Sequence, residues 1–158
     1  MEMDRTFKKL KKPWTKCYFD GSCPENPGES SCGVHVLDEN DQEITRFGRY
    51  LGKGTNNTAE YGGAIEAVKW LLDNGYKDKK CKLYGDSRLV VLQYVGRYKT
   101  KNNKLKVLKA ELKALTSQFI IPLEIRWLKR ERNTIADEQA ALALVKAGFE
   151  SDWLADLD

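Results

Sequence analysis

The stretch KLYGDSRLVV, Lys82 to Val91, decides how the chain is read. Up to Gly85 it has the alternation of a strand, and after Ser87 it resumes as an apolar run with helical character. Asp86 stands at the junction, where a buried strand hands over to a helix. An unpaired carboxylate at such a place is costly, so something must compensate its charge.

Working outward, KCKLYGD (80–86) reads as a strand and SRLVVLQYVG (87–96) as a short helix. Upstream, TKCYF (15–19) is a strand followed by the loop CPENPGES (23–30), rich in proline, glycine and asparagine. SCGVHVLD (31–38) and QEITRFGRYL (42–51) alternate across a polar ENDQ connection and suggest an antiparallel hairpin. The period then changes. Ala64, Ala67, Val68, Leu71 and Leu72 share one helix face between Ala59 and Leu72, with Asn74-Gly75 as a stop. Downstream, NKLKVLKAELKALTSQF (103–119) is an amphipathic helix, PLEIRWLK (122–129) a strand, and IADEQAALALVKAG (135–148) a helix closed by Gly148. The predicted order is βββαβααβα. Three antiparallel strands followed by strands alternating with helices give an α/β domain with a five-stranded mixed sheet flanked by helices.

The 158 residues, 41% hydrophobic with four Trp, seven Tyr and five Phe, suit one domain with a full core. The expected organisation is a basic N-terminal arm (1–14), a catalytic domain (15–148) and an acidic C-terminal tail (149–158). Net charge is only +4, but residues 97–113 carry seven bases against the single acid Glu111. The tail holds Glu150, Asp152, Asp156 and Asp158 beside apolar Trp153, Leu154 and Leu157. No apolar run approaches the roughly 18 residues of a membrane span, and the first residues lack the apolar segment of a signal peptide. The expected location is therefore the cytoplasm. Cys17, Cys23, Cys32 and Cys81 form no CxxC pair, which disfavours zinc and favours reduced thiols without deciding against a disulfide.

Four acids fall on inward positions. Asp20 is expected to end the first strand and Asp86 the fourth, Glu60 lies in the first turn of its helix on the face of Ala64 and Val68, and Asp137 repeats that placement ahead of Ala140, Ala141 and Leu144. Taken singly, each has a structural explanation. Glu60 with Asn57, and Asp137 with Thr134, could form capping boxes, while Asp20 before Gly21 and Asp86 before Ser87 could be turn and cap residues. Four convergent carboxylates are not explained by capping. They would repel one another unless a cation lay between them, and hard oxygen donors without clustered His or Cys select magnesium or manganese.

YFDGSCPENPG (18–28), GTNNTAEY (54–61), YGDSRLVV (84–91) and RERNTIADEQA (130–140) together resemble the type 1 ribonuclease H family, over roughly residues 16–146. The resemblance implies the ribonuclease H-like fold, strand order 3-2-1-4-5, and hydrolysis of the RNA strand of an RNA/DNA hybrid to 5′-phosphate and 3′-hydroxyl ends. It assigns Asp20, Glu60, Asp86 and Asp137 to catalysis with two Mg²⁺ ions, Mn²⁺ being an alternative, about 4 Å apart. Asp20 would bridge both ions and Asp137 would be the acid that moves during turnover. By motif position, backbone and side-chain groups of Ser22, Cys23 and Asn26, with Asn56 and Asn57, would meet 2′-hydroxyls, and Lys53 with Thr55 would grip a DNA phosphate. The basic stretch after Arg97, interleaved with Tyr94 and Tyr98, would follow the hybrid backbone. The expected partner is the hybrid alone, bound by a monomer with no obligate protein partner and no membrane.

The chain departs from the family pattern in three places. The loop before the last aspartate reads KRERN and lacks the family's histidine; Glu131 is a candidate substitute, and Arg130 a candidate phosphate contact. The only histidine, His35, falls in a strand and reads as structural. Arg88 replaces the glutamine of many relatives, and the basic protrusion of some bacterial members is missing between Ser87 and Pro122. The arm from Arg5 to Lys12 reads as a solubilising tail rather than a substrate handle. Two other classes compete: a catalytically silent module that binds hybrid or double-stranded RNA, and a different metal nuclease on the same fold.

Overall fold

In the computed structural model, which describes residues 14–149, the strand β1 (Thr15–Ser22) alternates between faces, burying Cys17 and Phe19 completely. It pairs antiparallel with β2 (Gly28–Leu37), which pairs antiparallel with β3 (Glu43–Gly54). On its other side β1 pairs parallel with β4 (Cys81–Gly85), and β4 with β5 (Glu124–Trp127), so the sheet order is β3-β2-β1-β4-β5. The helices are α1 (Asn56–Asp73), α2 (Arg88–Tyr94), α3 (Asn103–Thr116) and α4 (Thr134–Lys146), with one 3₁₀ turn at Arg130–Arg132. Element order and sheet order agree with the expectation. The basic arm and acidic tail lie outside the described residues, apart from Trp14 and Phe149 at their edges. Among the described residues, no helix is long and apolar enough to cross a membrane.

The two faces of the sheet are covered separately. Val34, Val36, Phe19 and Leu83 pack under Tyr61, Ala64, Val68 and Leu71 of α1, with Leu112 of α3 in the same core. On the opposite face α4 lies so close to β2 that a Cβ on Gly33 would sit 1.9 Å from the Ala136 carbonyl oxygen. Only glycine permits that approach.

Several boundaries differ from the sequence reading, each for a local reason. β1 runs two residues past Asp20, because Gly21 and Ser22 still pair with Cys32 and Ser31. β2 begins at Gly28, inside what reads as loop, since its first residues join the far end of β3 through a bulge at Ser30/Ser31. The α1 cap is Thr55, which accepts from the Thr58 amide at 3.2 Å while the Thr58 hydroxyl accepts from the Thr55 amide at 2.8 Å. The capping box is thus Thr55 with Thr58, not Asn57 with Glu60, and Glu60 is the fifth helical residue rather than part of the first turn. Nor is Asp137 half of a capping box, because Thr134 is already inside α4.

Candidate active site

β4 ends at Gly85, opposite Phe19, so Asp20 is the first residue of β1 without a β4 neighbour. The sheet is open there to groups from both faces. Strand alternation puts Asp20 on the side of its ladder partner Gly33, over which α4 lies, whereas Glu60 arrives from α1 on the other face. Their meeting depends on close packing of α1. A Cβ on Gly21 would lie 2.3 Å from the Glu60 amide nitrogen, and one on Gly63 would lie 2.7 Å from the Asp20 carbonyl oxygen.

Asp20, Glu60 and Asp86 each offer a carboxylate oxygen within 4.8 Å of the others. The Gly21 amide donates to Asp20 Oδ1 at 2.9 Å and to Glu60 Oε1 at 3.0 Å. Glu60 Oε2 is buried without a hydrogen-bond partner. Burial, then the neighbouring Glu60 charge, holds the Asp20 carboxyl well above the usual range. Glu60 is also raised, chiefly by burial and against the opposing pull of its hydrogen bond to Asp20, with the Arg130 guanidinium a smaller lowering influence. Three crowded oxygens and one orphaned lone pair suit a hard divalent cation, which would replace mutual repulsion with attraction.

Asp137 occupies the exposed rim of the same cleft, outside the tight trio. The cleft, about 390 Å³, is also lined by Ser22, Cys23, Asn56, Asn57, Ser87 and Arg130. Several sequence-named side chains are turned or bonded elsewhere. The Cys23 thiol is turned away toward the Gly28 and Gly54 carbonyls, 3.6 Å from each, leaving only its backbone for substrate. Asn26 accepts from the Asn56 amide at 3.1 Å and so ties the two loops together. Thr55 is engaged in its cap, and Lys53 borders a separate groove. Arg88 stacks its guanidinium 4.5 Å from the Trp127 ring centre, and Glu131 does not line the cleft. Tyr94 is not free to pack on a sugar, because its hydroxyl bonds Thr116 at 2.7 Å and Lys113 covers its ring. Tyr98 is 48% exposed and remains available.

Sequence reasoning missed Asn133. This side chain, 1% exposed, donates from Nδ2 to Asp86 Oδ2 at 3.0 Å and to the Phe19 carbonyl at 2.8 Å. It fixes the Asp86 carboxylate relative to β1. The Trp127 indole adds a second restraint, donating to the Asp86 carbonyl at 3.1 Å. The signal for Asn133 was an asparagine at the mouth of α4, where it resembles an ordinary cap, yet its side chain makes no cap hydrogen bond. Asn133→Ala is expected to weaken Mg²⁺ binding at the trio about 10- to 100-fold, the usual cost of losing a group that orients a ligand. The Mg²⁺ dependence of the thermal midpoint measures it; an unchanged dependence would show that Asp86 is oriented by other means.

The family model described as reverse transcriptase-like matches residues 18–143. A bifunctional protein of Mycobacterium tuberculosis is 34% identical over 138 residues, 87% of this chain and 37% of its own length. The chain therefore spans little more than a third of that relative. The crystal structure of ribonuclease H1 from Halobacterium salinarum superposes with TM-score 0.80 at 31% identity, covering 84% of this chain and 98% of the other. A ribonuclease H1 isolated from compost, solved in complex with an RNA/DNA hybrid, gives TM-score 0.79 at 33% identity, with 84% and 98% covered.

Proposed function

The chain belongs to the ribonuclease H family, and we propose that it is a metal-dependent endonuclease that hydrolyses the RNA strand of RNA/DNA hybrids. The products would carry 5′-phosphate and 3′-hydroxyl ends. The observation that carries this reading is the trio Asp20, Glu60 and Asp86, crowded at an open sheet edge with Glu60 Oε2 unpartnered. A module that merely bound nucleic acid would have no use for buried acids that repel phosphate. The relative solved with an RNA/DNA hybrid supports the substrate class.

Asp20, Glu60 and Asp86, with Asp137 at the rim, would hold two Mg²⁺ ions, or Mn²⁺ in their place. When bound, such ions lower the pKa of water and neutralise charge on a phosphoryl group. The chain's own contribution is orientation. The Gly21 amide aligns Asp20 with Glu60, and Asn133 holds Asp86, so the carboxylates need little rearrangement to bind cations. Arg130, which lines the cleft in the loop that lacks a histidine, would meet a substrate phosphate. Asn56 and Asn57, with Ser22 and the Cys23 backbone, also line the cleft and would present donors and acceptors to 2′-hydroxyls. Lys53, Thr55, Asn26 and Arg88 would act farther along the bound strands. The lysines of α3 would add salt-sensitive affinity without sequence preference.

The test is cleavage of a labelled RNA strand, presented in a hybrid and alone, with Mg²⁺, Mn²⁺ or EDTA. Metal-dependent cutting confined to the hybrid is expected. Tight hybrid binding with no cutting under either metal would replace the enzyme with a silent binding module and implicate the missing loop histidine and Arg88.

A further inference from the structure

Away from the carboxylate cleft, a groove of about 410 Å³ runs between β3, α1 and α3. Leu51, Gly62, Val107 and Leu108 give it an apolar lining, and Lys53 and Lys104 border it. Val107, a large apolar side chain on the groove wall, is 67% exposed. Two of these features pull apart. Lysines suit a phosphate backbone, but the leucines and valine offer it nothing, so the lining calls for an occupant that is both acidic and apolar.

The chain carries such a segment. ESDWLADLD, residues 150–158, has acids at Glu150, Asp152, Asp156 and Asp158 and apolar side chains at Trp153, Leu154 and Leu157. The i, i+1, i+4 spacing of those three is that of one helix face. The last described residue brings this segment to the right edge of the domain. Phe149 stacks on Tyr50 of β3, ring centres 5.5 Å apart, and the next β3 residue, Leu51, already reaches over Gly62 of α1 into the groove. β3 is an edge strand, so no neighbouring strand bars the way around it. Residues 150–152, extended, reach about 10 Å before the apolar face begins, enough to round one strand edge.

We infer that residues 150–158 dock in the groove between β3 and α3, where they cover Lys53 and compete with nucleic acid for it. The docking stands independently of the hydrolytic reading; the competition rests on it. Because the tail is tethered, its effective concentration at the groove is high and no second molecule is needed.

The test compares the intact chain with its Trp153→Ala/Leu154→Ala/Leu157→Ala variant and, separately, with Val107→Asn in the groove. Amide hydrogen exchange, read without metal or nucleic acid, is expected to quicken about tenfold around Leu51 and Val107 in both variants. Unchanged exchange there would overturn the docking, as would a change confined to a separate cavity of about 210 Å³ lined by Pro24, Glu25, Glu29, Leu144 and Phe149. Protection that rises with protein concentration would overturn it too, making a second copy the occupant. Hybrid binding in EDTA should tighten about tenfold in the tail variant. Unchanged affinity with quickened exchange would overturn the competition, and neither result depends on whether the chain cuts RNA.

Discussion

Asp20→Asn is expected to lower the proposed hybrid cleavage a thousand-fold or more in kcat, while hybrid binding stays within about twofold. Asp20 is the buried member of the trio and lies just past the last β1–β4 pair, so its loss removes a carboxylate within 4.8 Å of both partners. Three decades in rate correspond to about 4 kcal/mol of transition-state stabilisation, within the several kcal/mol that bound divalent ions contribute. The same substitution should stabilise the metal-free protein. In the folded, metal-free chain Asp20 keeps its proton well above the ordinary carboxyl range, because burial and then the Glu60 charge oppose ionisation. A folded pKa above the unfolded value of about 3.9 means that the folded state binds more protons. Its contribution is therefore full below about pH 4 and is lost as pH rises. Asparagine removes that loss, since its neutral amide replaces a carboxyl that must otherwise hold a proton. Thermal midpoints in EDTA at pH 8 should place the variant several degrees above the parent, at about 3 °C per kcal/mol, with the gap closing toward pH 4 and reversing when Mg²⁺ is added. Undiminished hydrolysis in the variant would mean that the site is assigned wrongly, and a lower midpoint in EDTA would mean that the trio is not under repulsion.

Gly21→Ala is expected to cost more than any conservative change on the surface of the cleft. The added methyl would sit 2.3 Å from both the Ala59 carbonyl carbon and the Glu60 amide nitrogen, and neither is a flexible side chain that can turn aside. Helix α1 must retreat by about 1 Å to restore contact distance, and overpacking of this kind costs about 3 kcal/mol. The retreat carries Glu60 away from Asp20, and a displacement of about 1 Å at a reacting centre can cost 100-fold in rate. Gly62→Ala provides the contrast. Its methyl would meet the Leu51 side chain at 2.6 Å, which can repack, so stability and kcat should fall far less. Parallel midpoints and kcat values decide the matter; equal losses for the two alanines would show that α1 is not held by the Gly21 contact.

Much of this arrangement was legible in the residues. The alternation of β1 to β3, the helical period from Ala59 and the strand-to-helix switch at Asp86 specify the element order, because the periods of strands and helices are written in the spacing of apolar residues. The meeting of Asp20, Glu60 and Asp86 was legible as well, since each lies a few residues from an apolar position whose burial was clear. Less was legible at the ends of elements. Thr55 rather than Asn57 caps α1, a choice between neighbours that both favour that role, and β1 runs past Asp20 because β2 continues to pair with it.

By itself, the sequence determined which chemistry is available: hard oxygen donors, no thiol cluster, a basic helix and an acidic tail, in an α/β order that brings strand ends and helix starts to one edge. Tertiary structure decided which of those groups meet. It placed Asp137 on the rim instead of in the tight trio, turned the Cys23 thiol inward, spent Tyr94 on Thr116, and gave Asn133 to Asp86. The physical reason is range. Backbone period and side-chain polarity act over a few residues and can be read locally. The approach of Asn133 to Asp86, 47 positions apart, and that of Glu60 to Asp20 depend on how closely α4 and α1 pack against opposite faces of the sheet. Close backbone contacts hold those helices in place, at Gly33 for α4 and at Gly21 and Gly63 for α1, and the neighbours of these glycines are known only once the chain is folded.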